Sequence, residues 1–176
     1  MRNKGCVHIY YGDGKGKTTA AMGLCIRAAG AGWKVLIYQF LKDNSSSERN
    51  VLKNIPGITL VDGNDHAKFT FNMTPEEKEE TGRYYRRIFD NIVHMAFDGG
   101  YELVVLDEIL HVVNKEMIPE EALVEFLEQR PDGMEVVMTG YNPSEELIEH
   151  ADYVSRIVKE KHPFDRKLKA RVGIEK

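Results

Sequence analysis

The sequence predicts an α/β fold in three layers, αβα, with a mainly parallel sheet, and two observations carry this prediction. Strand-like and helix-like segments alternate along the 176 residues, and this alternation implies right-handed βαβ units. The glycine-rich stretch "YYGDGKGKTT", residues 10–19, stands between the first apolar run and the first helical segment. A strand, a glycine loop and a helix in that order are typical of α/β domains that bind phosphate.

The individual elements can be assigned in chain order. Short apolar, β-rich runs predict six strands, within "CVHIYYG", "WKVLIYQF", "GITLVDG", "YELVVLDE", "MEVVMTG" and "DYVSRIVKE". Helical composition and end signals predict four helices, over 17–31, 74–97, 119–129 and within "NPSEELIEHA". The second of these helices opens at Thr74, where a cap residue is followed by a proline and two acids. Residues 41–50 and 63–74 are predicted loops after strands, where ligand loops lie in open sheets.

Composition and charge limit the function classes. Hydrophobic residues make up 42% and charged residues 30%, which predicts a single domain over 1–176, with the tail 159–176 packing on it. The net charge of −4 provides no general attraction to nucleic acid or to an anionic membrane. No apolar run is long enough to span a bilayer, and the N-terminus lacks a secretion signal, so a cytoplasmic location is expected. Cys6 and Cys25 are expected to be buried free thiols.

The glycine loop departs from the usual phosphate-loop spacing. The common pattern is G-x-x-x-x-G-K-[ST]; counted back from Gly16, its first glycine would stand at 11, where this chain has Tyr11 and the nearest glycine is Gly12. Glycines nevertheless allow backbone N–H groups to face a phosphate, and a helix N-terminus adds positive potential. Lys17 would bring a cation to the phosphates, and Thr18 would offer a hydroxyl to Mg²⁺.

An acidic pair closes the apolar run "LVVLDE" and provides the second half of such a site. Asp107 and Glu108 follow Leu106 directly, at the end where a strand would meet the glycine loop. Asp107 is predicted to hold Mg²⁺ directly or through water. Glu108 could coordinate the ion, orient a ligand or activate water.

These motifs indicate phosphate binding without naming a reaction. The string most similar to the base-reading N-K-x-D of GTPases, starting at Asn114, lacks the aspartate. The arginines of "GRYYRRIFDN" fit the solvated face of a helix better than the lid of a small-molecule kinase. A P-loop ATPase in which Glu108 activates water at the γ-phosphate stays open.

Several further segments follow the shortened loop "GDGKGKTTAA" in a fixed order along the chain. They are "RAAGAGWKV", "QFLK", "ERN", "FTF", "VVLDE", "TG" and the tail "KHPFDRKLKARVGIE". By the order and spacing of these segments, the chain resembles over nearly its whole length the ATP:corrinoid adenosyltransferases, the family of the cob(I)alamin/cob(I)yrinic acid a,c-diamide enzyme. The loop resembles that family's own shortened form, G-x-G-K-G-K-T-T-A-A, and the tail resembles its K-H-x-F-D-x-x-x-K-A-x-x-G-I-E.

The resemblance implies a P-loop NTPase-like fold, a homodimer, and transfer of the 5′-deoxyadenosyl group of ATP to the Co(I) centre of a corrinoid, with release of triphosphate. It further implies Mg²⁺ as cofactor and a reductase as electron-donating partner. Lys17, Phe69, Phe71 and Glu108 are the expected catalytic residues, and Thr18, Asp107 and Glu108 the metal-site residues. The expected nucleotide contacts are Gly12, Asp13, Gly14, Lys15, Gly16, Lys17, Thr18, Thr19 and Arg27.

The chain departs from the family pattern near the expected ligands. The family commonly has Thr-Gly-Arg after the fifth strand, and Tyr141 stands in place of that arginine. If the arginine binds phosphate, its loss removes a bidentate contact. Phe71 replaces the tryptophan of F-T-W, and "NSSSERN" replaces a loop that often holds tryptophan and glycine. A protein that binds a corrinoid or a nucleotide without catalysis is therefore a third possible function, beside the adenosyltransferase and the ATPase. The preferred corrinoid, and a role in synthesis or in salvage, stay open.

Overall fold

The computed structural model describes residues 4–63 and 74–175. Its centre is a parallel sheet of six strands in the order β3-β2-β4-β5-β1-β6. The strands are β1 (Val7–Tyr11), β2 (Val35–Gln39), β3 (Ile58–Leu60), β4 (Leu103–Asp107), β5 (Glu135–Gly140) and β6 (Tyr153–Arg156). All six lie within the runs that the sequence marked as strands, and the predicted parallel α/β architecture is confirmed.

Helices cover both faces of the sheet. They are α1 (Lys17–Gly30), α2 (Arg49–Leu52), α3 (Pro75–Asp98), α4 (Ile109–Val113), α5 (Glu120–Gln129) and α6 (Glu145–Glu149). Successive side chains of a strand point to opposite faces of the sheet, so each strand contributes to the packing on both sides. Leu36 and Tyr38 pack in the core with α3, α4 and α5, whereas Val35 and Ile37 pack with α1 and α2.

The longest helix, α3, begins where local sequence signals place its start. Thr74 Oγ1 accepts a hydrogen bond from the Glu77 N–H at 3.2 Å, and Glu77 Oε2 accepts one from the Thr74 N–H at 2.9 Å. This capping box satisfies two N–H groups that would otherwise lack helical partners. Further along the helix, Tyr85, Phe89 and Ile92 recur every three or four residues and face the core.

Three short elements were not predicted from the sequence. The polar stretch 41–50 was expected to be a loop, but its end enters α2 at Arg49. A five-residue helix, α4, follows the acidic end of β4, and Pro163–Arg166 form a 3-10 turn in the tail. His162, for which the sequence suggested no role, caps this turn: its Nδ1 accepts a hydrogen bond from the Phe164 N–H at 3.1 Å.

The carboxyl ends of β1, β2, β4 and β5 meet at one edge of the sheet, where ligand loops lie in open α/β folds. Gly12 follows β1 there, while Gln39, Asp107 and Thr139 stand at or near the ends of their strands. Within the residues that the structure describes, none of the helices has the length and apolar character that crossing a membrane requires.

Candidate functional site

The glycine loop, residues 12–16, connects β1 to α1 and owes its shape to contacts with a distant part of the chain. Gly12 and Gly16 have φ values of 119° and 120°, a region that side chains rarely adopt. A Cβ on Gly12 would lie 2.3 Å from the Ile157 carbonyl oxygen, and one on Gly14 would lie 2.8 Å from Ile157 Cγ2. Glycine is therefore required at 12 and 14 by the segment that follows β6.

Two of the loop N–H groups donate hydrogen bonds to carbonyl groups of the protein itself. The Gly12 N–H donates to the Gly140 carbonyl at 3.2 Å, and the Gly14 N–H donates to the Ile157 carbonyl at 2.9 Å. These two glycines thus fix the loop, and their N–H groups are directed at protein carbonyls. The N–H groups of Lys17, Thr18 and Thr19 belong to the first turn of α1, where helical amides have no intrahelical acceptor.

Lys17 lies against the loop that precedes it. Its ammonium donates to the Gly12 carbonyl at 2.7 Å and to the Gly14 carbonyl at 3.0 Å. The cation is therefore held at the start of α1, where the helix dipole also favours an anion.

Asp107 is the centre of a hydrogen-bond network at the end of β4. Its side chain is completely buried. Oδ1 accepts from the hydroxyls of Thr18 at 2.9 Å and Thr139 at 2.7 Å, and Oδ2 accepts from Gln39 Nε2 at 3.2 Å and Lys42 Nζ at 2.8 Å. The network brings the glycine-loop motif and the acidic strand end together, as the sequence predicted.

Glu108 stands beside this network in an unusual backbone conformation. Its φ is 64°, in the left-handed region that is uncommon for a residue with a side chain. Its N–H donates to Thr139 Oγ1 at 2.8 Å, and its Oε2 lies 2.9 Å from His111 Nε2. The backbone turn thus directs Glu108 away from the buried position of Asp107 and toward the cleft.

Tyr141, a residue that departs from the family pattern, lies beside His111, the histidine next to Glu108. Its ring stacks against His111 with centroids 6.4 Å apart. Its carbonyl accepts a hydrogen bond from Asn114 Nδ2 at 2.6 Å, and about half of the side chain is exposed. Tyr141 therefore supports the histidine that pairs with Glu108.

A cleft of about 820 Å³ lies over these groups. Residues 14–19 form its floor, and one helix face, the loop after β2 and the tail form its walls. The wall residues are Met22, Gly23, Ile26, Lys42, Ser46, Ser47, Glu48, Glu108, Gly173, Ile174 and Glu175. The volume falls within the range typical of small-molecule sites.

The tail contacts the glycine loop and also lines the cleft beside it. The Lys159 N–H donates to Asp13 Oδ1 at 3.1 Å, and this bond lowers the pKa of the Asp13 carboxyl below its usual value. At the cleft wall, hydrogen bonds from Arg171, together with the nearby positive charges of Arg171 and Lys15, lower the pKa of Glu175 to about 2. Glu175 therefore holds a carboxylate beside the loop across the neutral range.

Arg27, one of the expected nucleotide contacts, lies apart from this cleft. Arg27 is exposed in the last turn of α1, about 15 Å along the helix axis from Lys17, and it does not line the cleft. The structure thus offers no support for Arg27 as a phosphate contact within one chain. Phe69 and Phe71 lie outside the described residues.

Several residues of the site were not singled out as functional from the sequence. Thr139, Gln39 and Lys42 all contact Asp107. Glu48 Oε1 accepts from Gln39 Nε2 at 2.9 Å, and buried Arg49 lies within 3.4 Å of Gln39 Oε1. These residues fall in the segments "QFLK", "ERN" and "TG", whose resemblance to the family was the one available signal.

The donor set at Asp107 fits a Mg²⁺ ion that is shared with a nucleotide. Mg²⁺ is commonly bound by one or two protein oxygens together with substrate phosphates and waters. Thr18 and Asp107 supply such oxygens beside the loop. Within 4–63 and 74–175, three or more His, Cys, Asp or Glu side chains do not gather into a self-sufficient metal cage.

The strand–glycine loop–helix unit, with Lys17 and Thr18 beside a strand-end aspartate, defines the class of P-loop nucleotide-binding proteins. A solved structure of EssC ATPases 2 and 3 from Geobacillus thermodenitrificans shares the fold with a TM-score of 0.52 at 17% identity, covering 96% of this chain and 35% of that one. The chain belongs to the ATP:corrinoid adenosyltransferase family BtuR/CobO/CobP, which it matches over residues 3–175.

Individual relatives agree with this membership. The corrinoid adenosyltransferase of Escherichia coli is 33% identical over 175 residues, covering 98% of this chain and 86% of that protein. The corrinoid adenosyltransferase CobA of Salmonella typhimurium is 31% identical over 178 residues, covering 99% and 87%. Both are named as transferases, which confirms the family that the sequence motifs indicated.

Proposed function

We propose that this protein transfers the 5′-deoxyadenosyl group of ATP to the Co(I) centre of a corrinoid and releases triphosphate. Family membership supports the reaction class. The observation that carries the proposal in this chain is the 2.9 Å hydrogen bond from Thr18 to Asp107. It joins the two halves of a nucleotide site in spite of the shortened glycine loop.

The reaction forms one bond and breaks one. The electron pair of Co(I) attacks C5′ of the ribose, and the C5′–O bond breaks with its electron pair passing to the departing triphosphate. Negative charge therefore grows on the leaving oxygen. Lys17 and the first-turn amides of α1 would stabilise that charge, because they are fixed donors at a helix N-terminus.

Thr18 and Asp107 would hold Mg²⁺, with Glu108 as an additional carboxylate at the cleft. When bound, the ion would supply further positive charge to the leaving triphosphate. Glu108 Oε2 lies 2.9 Å from His111 Nε2, so the histidine holds the carboxylate in place at the cleft. Lys15, Gly16 and Thr19 line the same cleft and complete the proposed phosphate contacts.

The corrinoid side of the site is proposed from the sequence alone. Phe69 and Phe71 would form an apolar wall under the corrinoid ring, which denies the cobalt a lower axial ligand. Four-coordinate Co(II) is easier to reduce than the five-coordinate form, so such a wall would assist the formation of Co(I). The attacking cobalt must also lie in line with the C5′–O bond at near-contact distance.

Product analysis tests the function directly. The protein is incubated with ATP, Mg²⁺ and a chemically reduced corrinoid, and the light-sensitive adenosylated product is followed by absorbance while the phosphate products are separated. Adenosyl corrinoid and triphosphate in equal amounts support the proposal. ADP and phosphate without corrinoid product would indicate an ATPase using Glu108, and binding without any product would indicate a carrier.

A homodimer is proposed as the working form. The edge strand β6 is exposed along all four residues, and Val158 after it and Phe164 and Val172 in the tail are exposed as well. An open parallel edge next to exposed apolar side chains favours a protein partner. Light scattering on the purified protein distinguishes a mass of two chains from one. We also propose that a reductase donates the electron that forms Co(I), and that the protein is located in the cytoplasm.

A further inference from the structure

Lys42 contacts both groups that the proposed metal site uses. Its ammonium lies 2.8 Å from Asp107 Oδ2 and 3.1 Å from Thr18 Oγ1. The side chain is about a quarter exposed, whereas Asp107 is completely buried. A single cation therefore bridges the acid at the end of β4 and the hydroxyl at the start of α1.

The buried carboxylate has a physical need for such a cation. Four side chains of the described residues contact Asp107, and three of them, Thr18, Gln39 and Thr139, are neutral donors. A buried carboxylate that lacks a compensating charge is strongly unfavourable. Lys42 is the group that supplies this charge.

We infer that Lys42 is a resident cation which competes with the divalent ion for Asp107 and Thr18, and which must move when the ion binds. This inference rests on the proposed Mg²⁺ site. Mg²⁺ approaches its oxygen ligands to about 2.1 Å, so an ammonium in contact with the same two oxygens would overlap with the ion and repel it. The two cations exclude each other from this position.

The surroundings give the displaced ammonium an alternative partner. Glu48 Oε1 lies 3.8 Å from Lys42 Nζ, and both side chains line the cleft. Gln39 Nε2 connects the two acids, since it donates to Glu48 Oε1 at 2.9 Å and to Asp107 Oδ2 at 3.2 Å. A short movement toward Glu48 and the cleft would leave the ammonium paired while it releases Asp107. Lys42 is thus a positioning residue that keeps the nucleotide-free site neutral and lowers its affinity for a free divalent ion.

The test measures binding of Mn²⁺, used in place of Mg²⁺, to the nucleotide-free protein by the electron paramagnetic resonance of free Mn²⁺. Lys42→Met should bind Mn²⁺ at least about tenfold more tightly than wild type, because the repulsion of a cation in contact with the site is removed. Lys42→Gln, which keeps a donor without charge, should change in the same direction. Lys15→Met is the matched control: it removes the same charge from the same cleft, at an exposed position outside the Asp107 network, and should have a smaller effect.

Thermal unfolding gives a second readout that does not depend on activity. With a chelator present, Lys42→Met should unfold about 4 °C or more below wild type, since Asp107 loses its cation. Addition of Mn²⁺ should remove this difference.

If Asp107→Asn loses Mn²⁺ binding but Lys42→Met binds it no better than wild type, the competition is wrong while the metal site stands. Unchanged Mn²⁺ binding in Asp107→Asn would overturn the metal site and the inference together, and failure of both wild type and Lys42→Met to bind Mn²⁺ would overturn the inference.

Discussion

Thr139 fixes Asp107 and the turn that follows it with one hydroxyl. Thr139 Oγ1 donates to Asp107 Oδ1 at 2.7 Å and accepts from the Glu108 N–H at 2.8 Å. Because Thr139 and Asp107 are completely buried, water cannot replace the hydroxyl at Asp107 when it is removed. The end of β5 thus sets both the orientation of the buried acid and the left-handed backbone of Glu108.

Thr139→Val, which keeps the shape and removes the hydroxyl, should therefore lower the free energy of unfolding by about 1–3 kcal/mol. It should also weaken Mn²⁺ binding, since Asp107 loses a donor that orients it. Urea unfolding measures the first effect and magnetic resonance of free Mn²⁺ the second. Thr139→Ser retains the hydroxyl and serves as control. A loss in Thr139→Ser with no loss in Thr139→Val would mean that packing of the methyl group, and not the hydrogen bond, is what matters.

The glycine at 14 is expected to be needed for the fold. In Gly14→Ala the new Cβ would lie 2.8 Å from Ile157 Cγ2 and from the backbone carbon of Val158, so the segment after β6 must shift. We expect a loss of about 1–3 kcal/mol in the free energy of unfolding. Gly23→Ala is the control within the same region: it lies inside α1 with no atom within 4 Å of the new Cβ, and should gain about 0.5–1 kcal/mol. A harmless Gly14→Ala would show that the loop is held by its amides alone.

Lys17→Ala is expected to abolish turnover while the fold stays intact. The lysine is only half-buried and contacts two loop carbonyls, so its removal should change the free energy of unfolding by less than about 1 kcal/mol. Loss of a cation at the departing triphosphate should cost about 3 kcal/mol or more of transition-state stabilisation, which is roughly a hundredfold or more in kcat/KM. Initial rates of adenosyl corrinoid formation measure this.

Lys34→Ala is the matched control for that experiment, because Lys34 also donates to a backbone carbonyl, that of Gly99 at 2.6 Å. It is an exposed residue that precedes β2, at the opposite end of the strand from the cleft. Its loss should leave turnover unchanged. A near-normal rate in Lys17→Ala would remove the glycine loop from the mechanism.

Patterns confined to a few consecutive residues predicted most of the fold. The apolar runs located all six strands, and the cap at Thr74 located the start of α3, because periodicity and end signals are local. Lys17, Thr18 and Asp107 could also be assigned together, since parallel strands bring their carboxyl ends to one edge. α2 and α4, of four and five residues, are too short for a periodic signal.

The remaining features of the site depend on contacts between residues far apart in the chain. The requirement for glycine at 14 comes from Ile157, at the other end of the chain. Lys42 is one of many lysines in the sequence, and it becomes part of the site when β2 pairs with β4 and places Gln39 opposite Asp107. Arg27 was expected at the phosphate site because the family resemblance of "RAAGAGWKV" places it on the same helix as Lys17, but ten residues of helix separate the two.

The aromatic pair in the segment that lies outside the described residues provides the test most specific to corrinoid chemistry. Phe69→Ala combined with Phe71→Ala should still use chemically pre-reduced Co(I). It should fail when Co(II) must be reduced in the site by a weak reductant, because water or the nucleotide base can then take the lower axial position. Nucleotide binding should be nearly unaffected, since the proposed phosphate contacts lie at 15–19. Magnetic resonance of enzyme-bound Co(II) with ATP should show the four-coordinate form in wild type and its loss in the variant.

Two further variants separate corrinoid contact from simple packing at that aromatic pair. Phe164→Ala removes an exposed phenylalanine of the tail and should leave the four-coordinate signal of bound Co(II) unchanged. Phe71→Trp restores the residue that is commoner in the family and should keep or increase the four-coordinate fraction, since a larger ring covers more of the lower face. Loss of activity with Co(I) and Co(II) alike, together with a lower Tm in the double alanine variant, would identify the pair as core residues. A marked drop in the four-coordinate fraction of Phe71→Trp would instead show that this pocket is shaped around phenylalanine.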